Sequence, residues 1–334
     1  MSEHARHTRL RGATMAKGDL LDRWSQPPTG PESRAHYLLR KAIRHAYWAR
    51  TEGFHRLVEE DRLDPRERIR TAVSKARWRS RHGVPAGTAR PVLVVGLQRS
   101  GTNMLMRGFD EDPSVEVRNE NDKALFERFQ LRSDTALRAL VDASRHRLVL
   151  IKPLCDSQRT DELLDLFAPG RARALWVYRN AHDRARSEVS KFGKAPLIAV
   201  EAVATGNPAD RWQGRRHTPD MTALAASFDA ETMSEHTASA LYWVLRNQQF
   251  YDLGLDARDD VLLVSYDDFA ADPVTEMQRV CAFLEVPYSP QLCAHVEPRQ
   301  SHGSAPLDID PRVQDMVEAM SARLEATRRA EDPR

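Results

Sequence analysis

The stretch "PVLVVGLQRSGTNML", residues 91–105, constrains the fold more than any other. A valine-rich apolar run, too short for a helix, leads into a loop bounded by Gly96 and Gly101, and helical spacing follows. Strand, glycine-bounded loop and helix, in that order, turn backbone N–H groups and the positive end of a helix toward an anion. The nucleotide-binding form of this turn reads G-x-x-x-x-G-K-[ST]. Both glycines are present here, but Thr102 stands at the lysine position and Asn103 at that of the magnesium-binding hydroxyl. Losing both argues against a metal-bridged triphosphate. The loop instead carries Arg99, a fixed charge with a planar fork, and the hydroxyls of Ser100 and Thr102. It suits a ligand with a single 5′-phosphate group and no obligatory metal.

Three further apolar runs read as buried strands: "RLVLIKP" (147–153), "ARALWVYR" (172–179) and "DVLLVSYDDF" (260–269). Helical stretches separate them, among them "AHDRARSEVSKF", "PVTEMQRVCAFLEV" and a tail helix that starts at Pro311. The alternation predicts an α/β fold: a P-loop-like parallel β-sheet of four to five strands flanked by helices. In such sheets ligands bind beyond the carboxyl ends of the strands. Residues 1–88 read as a basic helical N-terminal extension, its first ~30 residues loosely attached by composition, and residues 89–334 as the main domain. Within it, residues 193–235 are irregular in pattern and carry Trp212, Arg215, Arg216 and His217. That stretch reads as a lid-like insertion, and the Arg215–Arg216 pair hints at an anionic acceptor.

Residues 1–90 hold 20 Lys and Arg against 10 Asp and Glu, although the whole chain carries a net charge of only +2. No zinc-finger spacing or paired aromatic and basic pattern accompanies this charge, so nucleic acid is not an expected partner. Three scattered cysteines (Cys155, Cys281, Cys293) fit neither a metal site nor a disulfide framework and read as small buried apolar residues. No apolar run is long enough to cross a bilayer, and the N-terminus lacks the apolar core of a secretory signal. A cytoplasmic location is expected.

"GLQRSGTNML" resembles the 5′-phosphosulfate-binding loop of sulfotransferases that use 3′-phosphoadenylyl sulfate (PAPS) and release PAP. Arg99, Ser100, Gly101, Thr102 and Asn103 match it. "YRNAHDRARSEVSKFG" resembles a second motif of that family, in which a strand-end arginine and a serine eight residues later grip the cofactor 3′-phosphate. Arg179 and Ser187 hold those positions. A strand-end arginine makes a bidentate, charge-assisted bond to a phosphate. "LVSYDDFAADPVTEMQRVCAFLEVP" resembles the family's late strand and helix, with Tyr266 matching a tyrosine near the nucleotide. "LIKP" resembles the end of its second strand, where Lys152 matches a lysine that faces the sulfonate. The resemblance spans about residues 91–290 and is poor across 193–235.

The resemblance implies sulfonate transfer to an acceptor hydroxyl or amine, with Arg99 and Lys152 stabilising the leaving oxygen and no metal required. Many family members use a histidine base, but His146 precedes its strand, on the wrong end. The branch that includes the protein-tyrosine sulfotransferases uses a glutamate about seventeen residues past the loop. That count reaches Glu120, with Glu116 as the fallback. Without a catalytic role, Glu120 would be a first-turn carboxylate of a helix over "DKALFERF". Phe126, Phe129 and Trp243 read as core residues, with the lining of an acceptor pocket as the alternative, and Ser301 or Ser304 as a candidate to touch the phosphosulfate. The acceptor stays open among small molecules, carbohydrates and peptides. An ATP-dependent phosphotransferase and a non-catalytic nucleotide-binding protein are the competing readings. Thr102 speaks against the first. The intact set of Arg99, Arg179, Ser187 and Glu120 speaks against the second.

Overall fold

The computed structural model describes residues 65–229, 231–299 and 305–331. In chain order these form α1 (Pro65–His82), β1 (Arg90–Gly96), α2 (Thr102–Asp110), β2 (Val115–Arg118), β3 (Phe126–Glu127), β4 (Gln130–Leu131), α3 (Asp134–Ala143) and β5 (Leu148–Ile151). After a 3₁₀ turn at Leu154–Arg159 come α4 (Thr160–Asp165), β6 (Arg173–Tyr178), α5 (Ala181–Phe192), α6 (Ala195–Ala204), α7 (Pro219–Ala226) and α8 (Glu235–Asp252). The last elements are β7 (Val261–Ser265), α9 (Tyr266–Ala271), α10 (Pro273–Leu284) and α11 (Pro311–Glu331).

Five strands pair in the order β2-β5-β1-β6-β7, every pair parallel. Both faces are covered, which is why the strands read as unbroken apolar runs rather than as alternating ones. Along β1, Val92 and Val94 point into one core with Leu105, Met106 and Phe109 of α2 and Met277 and Val280 of α10. Leu93 and Val95 point into the other, with Leu241 and Leu245 of α8 and Val313 and Val317 of α11. The chain leaves β1 for β2 and β5 on one side and returns to β6 on the other. The loop after β1 therefore opens at the point where strand order reverses, the usual ligand crevice of such sheets.

The fifth strand, β2, comes from the "SVEVRNE" stretch and lies at the sheet edge. The run read as a strand over 260–269 ends at Ser265, whose hydroxyl accepts the Asp268 N–H at 3.2 Å and starts α9. The helix expected over "DKALFERF" is instead a turn and the short β3–β4 hairpin. Asp122 accounts for the difference: its carboxylate accepts the Ala124 N–H at 2.9 Å and the Arg118 guanidinium at 2.6 Å, closing a local turn in place of a helical one. Arg128 and Phe129, at φ 50° and 68°, make the hairpin turn. Phe126 and Trp243 are core residues, whereas Phe129 is 49% exposed.

The 193–235 stretch contains two helices, α6 and α7, despite its Gly and Pro content. Ala199, Val200 and Val203 of α6 join the main core. Arg215 is engaged by Asp210 and by Gln130 of the hairpin, and Arg216 by Asp161. The two arginines thus tie the insertion to its own chain. Helix α1 packs through Trp78, which stacks on His146 with ring centroids 6.0 Å apart, and through Lys75, which pairs with Asp110. The helical extension before Pro65, including its loose first ~30 residues, and Ser301 and Ser304 lie outside the described residues. Cys155, Cys281 and Cys293 are buried and unbridged. No helix among the described residues is long and apolar enough to cross a membrane.

Candidate active site

Two glycines let the β1–α2 loop pass close to its neighbours. At Gly96 (φ 118°) a Cβ would strike the carbonyl of Val177 in β6, and at Gly101 (φ 86°) it would enter the ring of Tyr266. Between them Arg99 is left-handed at φ 68°, a conformation that disfavours any residue with a Cβ. Ser157, from the 3₁₀ turn after β5, anchors the loop entrance: its hydroxyl accepts the Gly96 N–H at 3.0 Å. Helix α2 starts at Thr102 with no side-chain cap and no acidic residue in its first turn. Its free N–H groups and positive end are open to an anion.

Around this loop the structure gathers the residues singled out in the sequence. The Arg99 Nε donates to the Ser187 hydroxyl at 2.9 Å, joining the loop to α5. Arg179, the first residue after β6, reaches the Arg99 carbonyl at 3.4 Å, and its guanidinium lies 4.6 Å from the centre of the Tyr266 ring. Lys152, at the end of β5, donates to Asn103 Oδ1 at 2.6 Å and pairs with Glu120 Oε2 at 3.2 Å. Thus the loop, the strand-end lysine and the carboxylate form one connected set.

Two polar groups here have no hydrogen-bond partner among the described residues: the fully buried Ser100 Oγ and the buried Nε of Arg179. Buried donors left unsatisfied are costly. Both flank the uncapped α2 terminus, so the residues present fit a phosphate-bearing ligand. No cluster of three or more His, Cys, Asp or Glu side chains able to hold a metal lies among the described residues.

The two candidate carboxylates differ in their surroundings. Burial pushes the Glu120 carboxyl up; the Lys152 ammonium opposes this and the Asp156 carboxylate adds to it, with a net rise. Burial also acts on Glu116, but hydrogen bonds from His146 and Ser144 and the charge of Arg118 outweigh it and hold Glu116 at about 2. Ser144 Oγ lies 2.5 Å and His146 Nδ1 3.1 Å from Glu116 Oε2, and Arg118 covers the other oxygen. Every bond of Glu116 thus points into the β2–β5 edge. His146 stands before β5 and Lys152 after it, and six extended residues place them about 20 Å apart.

Several contributors were not visible in the sequence. Arg299 donates to the Tyr266 hydroxyl at 2.7 Å, Trp243 donates to the Arg179 carbonyl at 2.9 Å, and the buried Arg184 donates to the Gln98 carbonyl at 3.1 Å. Asn180 caps α5, a role the sequence reading passed over: its side chain accepts the His182 and Asp183 N–H groups and so fixes α5 directly behind Arg179.

The family model described as "Sulfotransferase family" matches residues 91–290, well over half of the chain. No curated protein matches the sequence. Similar solved structures include a sulfotransferase from Alicyclobacillus acidocaldarius, with 20% identity, 72% of this chain and 95% of that chain covered, and a TM-score of 0.40. The sulfotransferase domain from the curacin biosynthetic pathway has 13% identity, coverage of 72% and 98%, and a TM-score of 0.42. Mouse sulfotransferase SULT7A1 complexed with PAP has 13% identity, coverage of 71% and 73%, and a TM-score of 0.34. The assignment rests on the sequence match over residues 91–290: the chain belongs to the sulfotransferase family.

Proposed function

We propose that the enzyme transfers the sulfonate of PAPS to an acceptor hydroxyl or amine, with Glu120 as general base and no metal. The connection through Lys152, 2.6 Å from the loop at Asn103 and 3.2 Å from Glu120, carries this reading. PAPS supplies an activated sulfonate on a phosphate leaving group. The N–H groups of the loop and of the α2 terminus, with Ser100 and Thr102, bind its 5′ end. Arg179 and Ser187 hold the 3′-phosphate, and Tyr266 lies beside the nucleotide with Arg179 over its ring.

Glu120 takes the proton of the acceptor as the acceptor oxygen or nitrogen forms its bond to sulfur. The bond from sulfur to the bridging oxygen breaks with its electron pair. Arg99 and Lys152 stabilise the negative charge left on that oxygen. A carboxyl raised above its ordinary value is the stronger base when ionised, and burial supplies that rise at Glu120. Lys152 keeps enough of it ionised to act. Arg215 and Arg216 are engaged within the chain, so the acceptor need not be anionic. An ATP-dependent phosphotransfer is disfavoured by Thr102 at the position of the phosphate-binding lysine.

The test is transfer from radiolabelled PAPS across a panel of phenols, sugars and tyrosine peptides. Transfer is expected for wild type, with kcat reduced about 10²–10⁴-fold in Glu120→Gln while PAP affinity is retained. Full activity in Glu120→Gln would remove the proposed base.

A further inference from the structure

Arg184 lies on α5 with none of its surface exposed, one turn before Ser187. Four hydrogen bonds hold its guanidinium inside the protein. Nη1 donates to the backbone and hydroxyl oxygens of Ser239 on α8, each at 3.1 Å, and Nη2 donates to Glu188 Oε1 at 2.6 Å. The Ser239 hydroxyl closes the ring by donating to Glu188 Oε2 at 2.5 Å. One bond leaves this buried triad: Nε donates to the Gln98 carbonyl at 3.1 Å.

That carbonyl belongs to the peptide plane joining Gln98 to Arg99. Rotating the plane changes the φ of Arg99, which stands at 68°. A non-glycine residue persists in the left-handed region when its surroundings fix it there. The plane on the other side of Arg99 is touched by Arg179, through the Arg99 carbonyl, at 3.4 Å. The Arg99 side chain is held by Ser187, from the same face of α5 as Arg184.

We infer that Arg184 is a positioning residue for sulfonate transfer: its bond to the Gln98 carbonyl locks the loop peptide so that Arg99 stays left-handed and aims its guanidinium at the transferring group. Glu188 and Ser239 hold Arg184 straight. The ionic pair is retained in a core position because the loop carbonyl needs a rigid, permanently charged donor there. A lysine is too short in fork geometry to serve both α8 and the loop. The role assigned to Arg99 rests on the proposed function; the fixing of the loop peptide does not.

The test compares wild type with Arg184→Met/Glu188→Leu, which removes both buried charges together and so leaves neither one unpaired in the core. Arg184→Lys serves as the conservative variant. Amide hydrogen exchange of the unliganded proteins is read at residues 97–103 against the β1 and β6 amides. The inference predicts at least ten-fold faster exchange in the loop of the double variant, with strand amides within about two-fold of wild type, and partial restoration in Arg184→Lys. PAP titration in EDTA should then show at least ten-fold weaker binding in the double variant at an unchanged circular dichroism spectrum. Unchanged loop exchange in the folded double variant overturns the inference. So does equal acceleration throughout the sheet, which would mark a structural pair only. Failure of wild type itself to bind PAP would remove the donor reading, and the exchange comparison would still decide the role of Arg184.

Discussion

Replacing Glu116 by Gln should weaken the fold and leave the chemistry largely intact. Glu116 is held at about 2 by bonds from His146, Ser144 and Arg118, against an ordinary value of 4.5. Each tenfold change in proton affinity is about 1.4 kcal/mol. A folded value depressed to this extent contributes about 3 kcal/mol of stability at neutral pH. Its side chain is only 15% exposed, so solvent screening removes little of this. The contribution is complete above about pH 4.5, is lost as pH falls toward 2, and stands at less than half at pH 3. Urea unfolding of wild type and Glu116→Gln between pH 7 and pH 3 reads it directly. The stability gap should be about 3 kcal/mol at pH 7 and shrink as the pH drops. Transfer activity at pH 7 should fall by no more than about ten-fold, because Glu116 faces the β2–β5 edge. Parallel stability curves would refute the electrostatic argument. A large loss of kcat with no loss of stability would mean that Glu116, and not Glu120, is the base.

The pH dependence of kcat/KM should rise through an acid limb set above the ordinary glutamate value, because burial raises Glu120, and that limb should vanish in Glu120→Gln. Gly101→Ala should lower PAP affinity at least ten-fold, measured by calorimetry: the left-handed backbone alone costs a Cβ-bearing residue about 1–2 kcal/mol, and the new methyl would also displace Tyr266. Trp78→Ala should cost about 2 kcal/mol in urea unfolding through the lost stack on His146, with kcat within about three-fold of wild type.

The strands and the loop were legible because a sheet covered on both faces leaves continuous apolar runs, and because Gly96 and Gly101 mark where the loop passes too close to its neighbours, the Val177 carbonyl and the Tyr266 ring, to carry a Cβ. The cluster around the loop was legible through two motifs whose spacing the fold turns into contact: Arg99 meets Ser187 across 88 positions of sequence. The edge strand β2 was not, since "VEVR" is half polar. Its polar side chains are satisfied by Ser144, His146 and Asp122, which no local pattern announces. The missed hairpin has a similar origin, in an Asp122 side chain that competes with helix formation. Arg184 looks like any charge on a polar helix; only the approach of α8 and the loop makes it an interior residue. Arg299 escaped notice because its target, the Tyr266 hydroxyl, is 33 residues away.

Calorimetric titration of PAP in the presence of EDTA, with wild type and Arg179→Ala, tests the central claim most directly. The account predicts tight, metal-free binding by wild type and a loss of at least thirty-fold in the variant, the equivalent of about 2 kcal/mol for a charge-assisted bond. Absence of PAP binding, together with binding of ATP and magnesium, would contradict it.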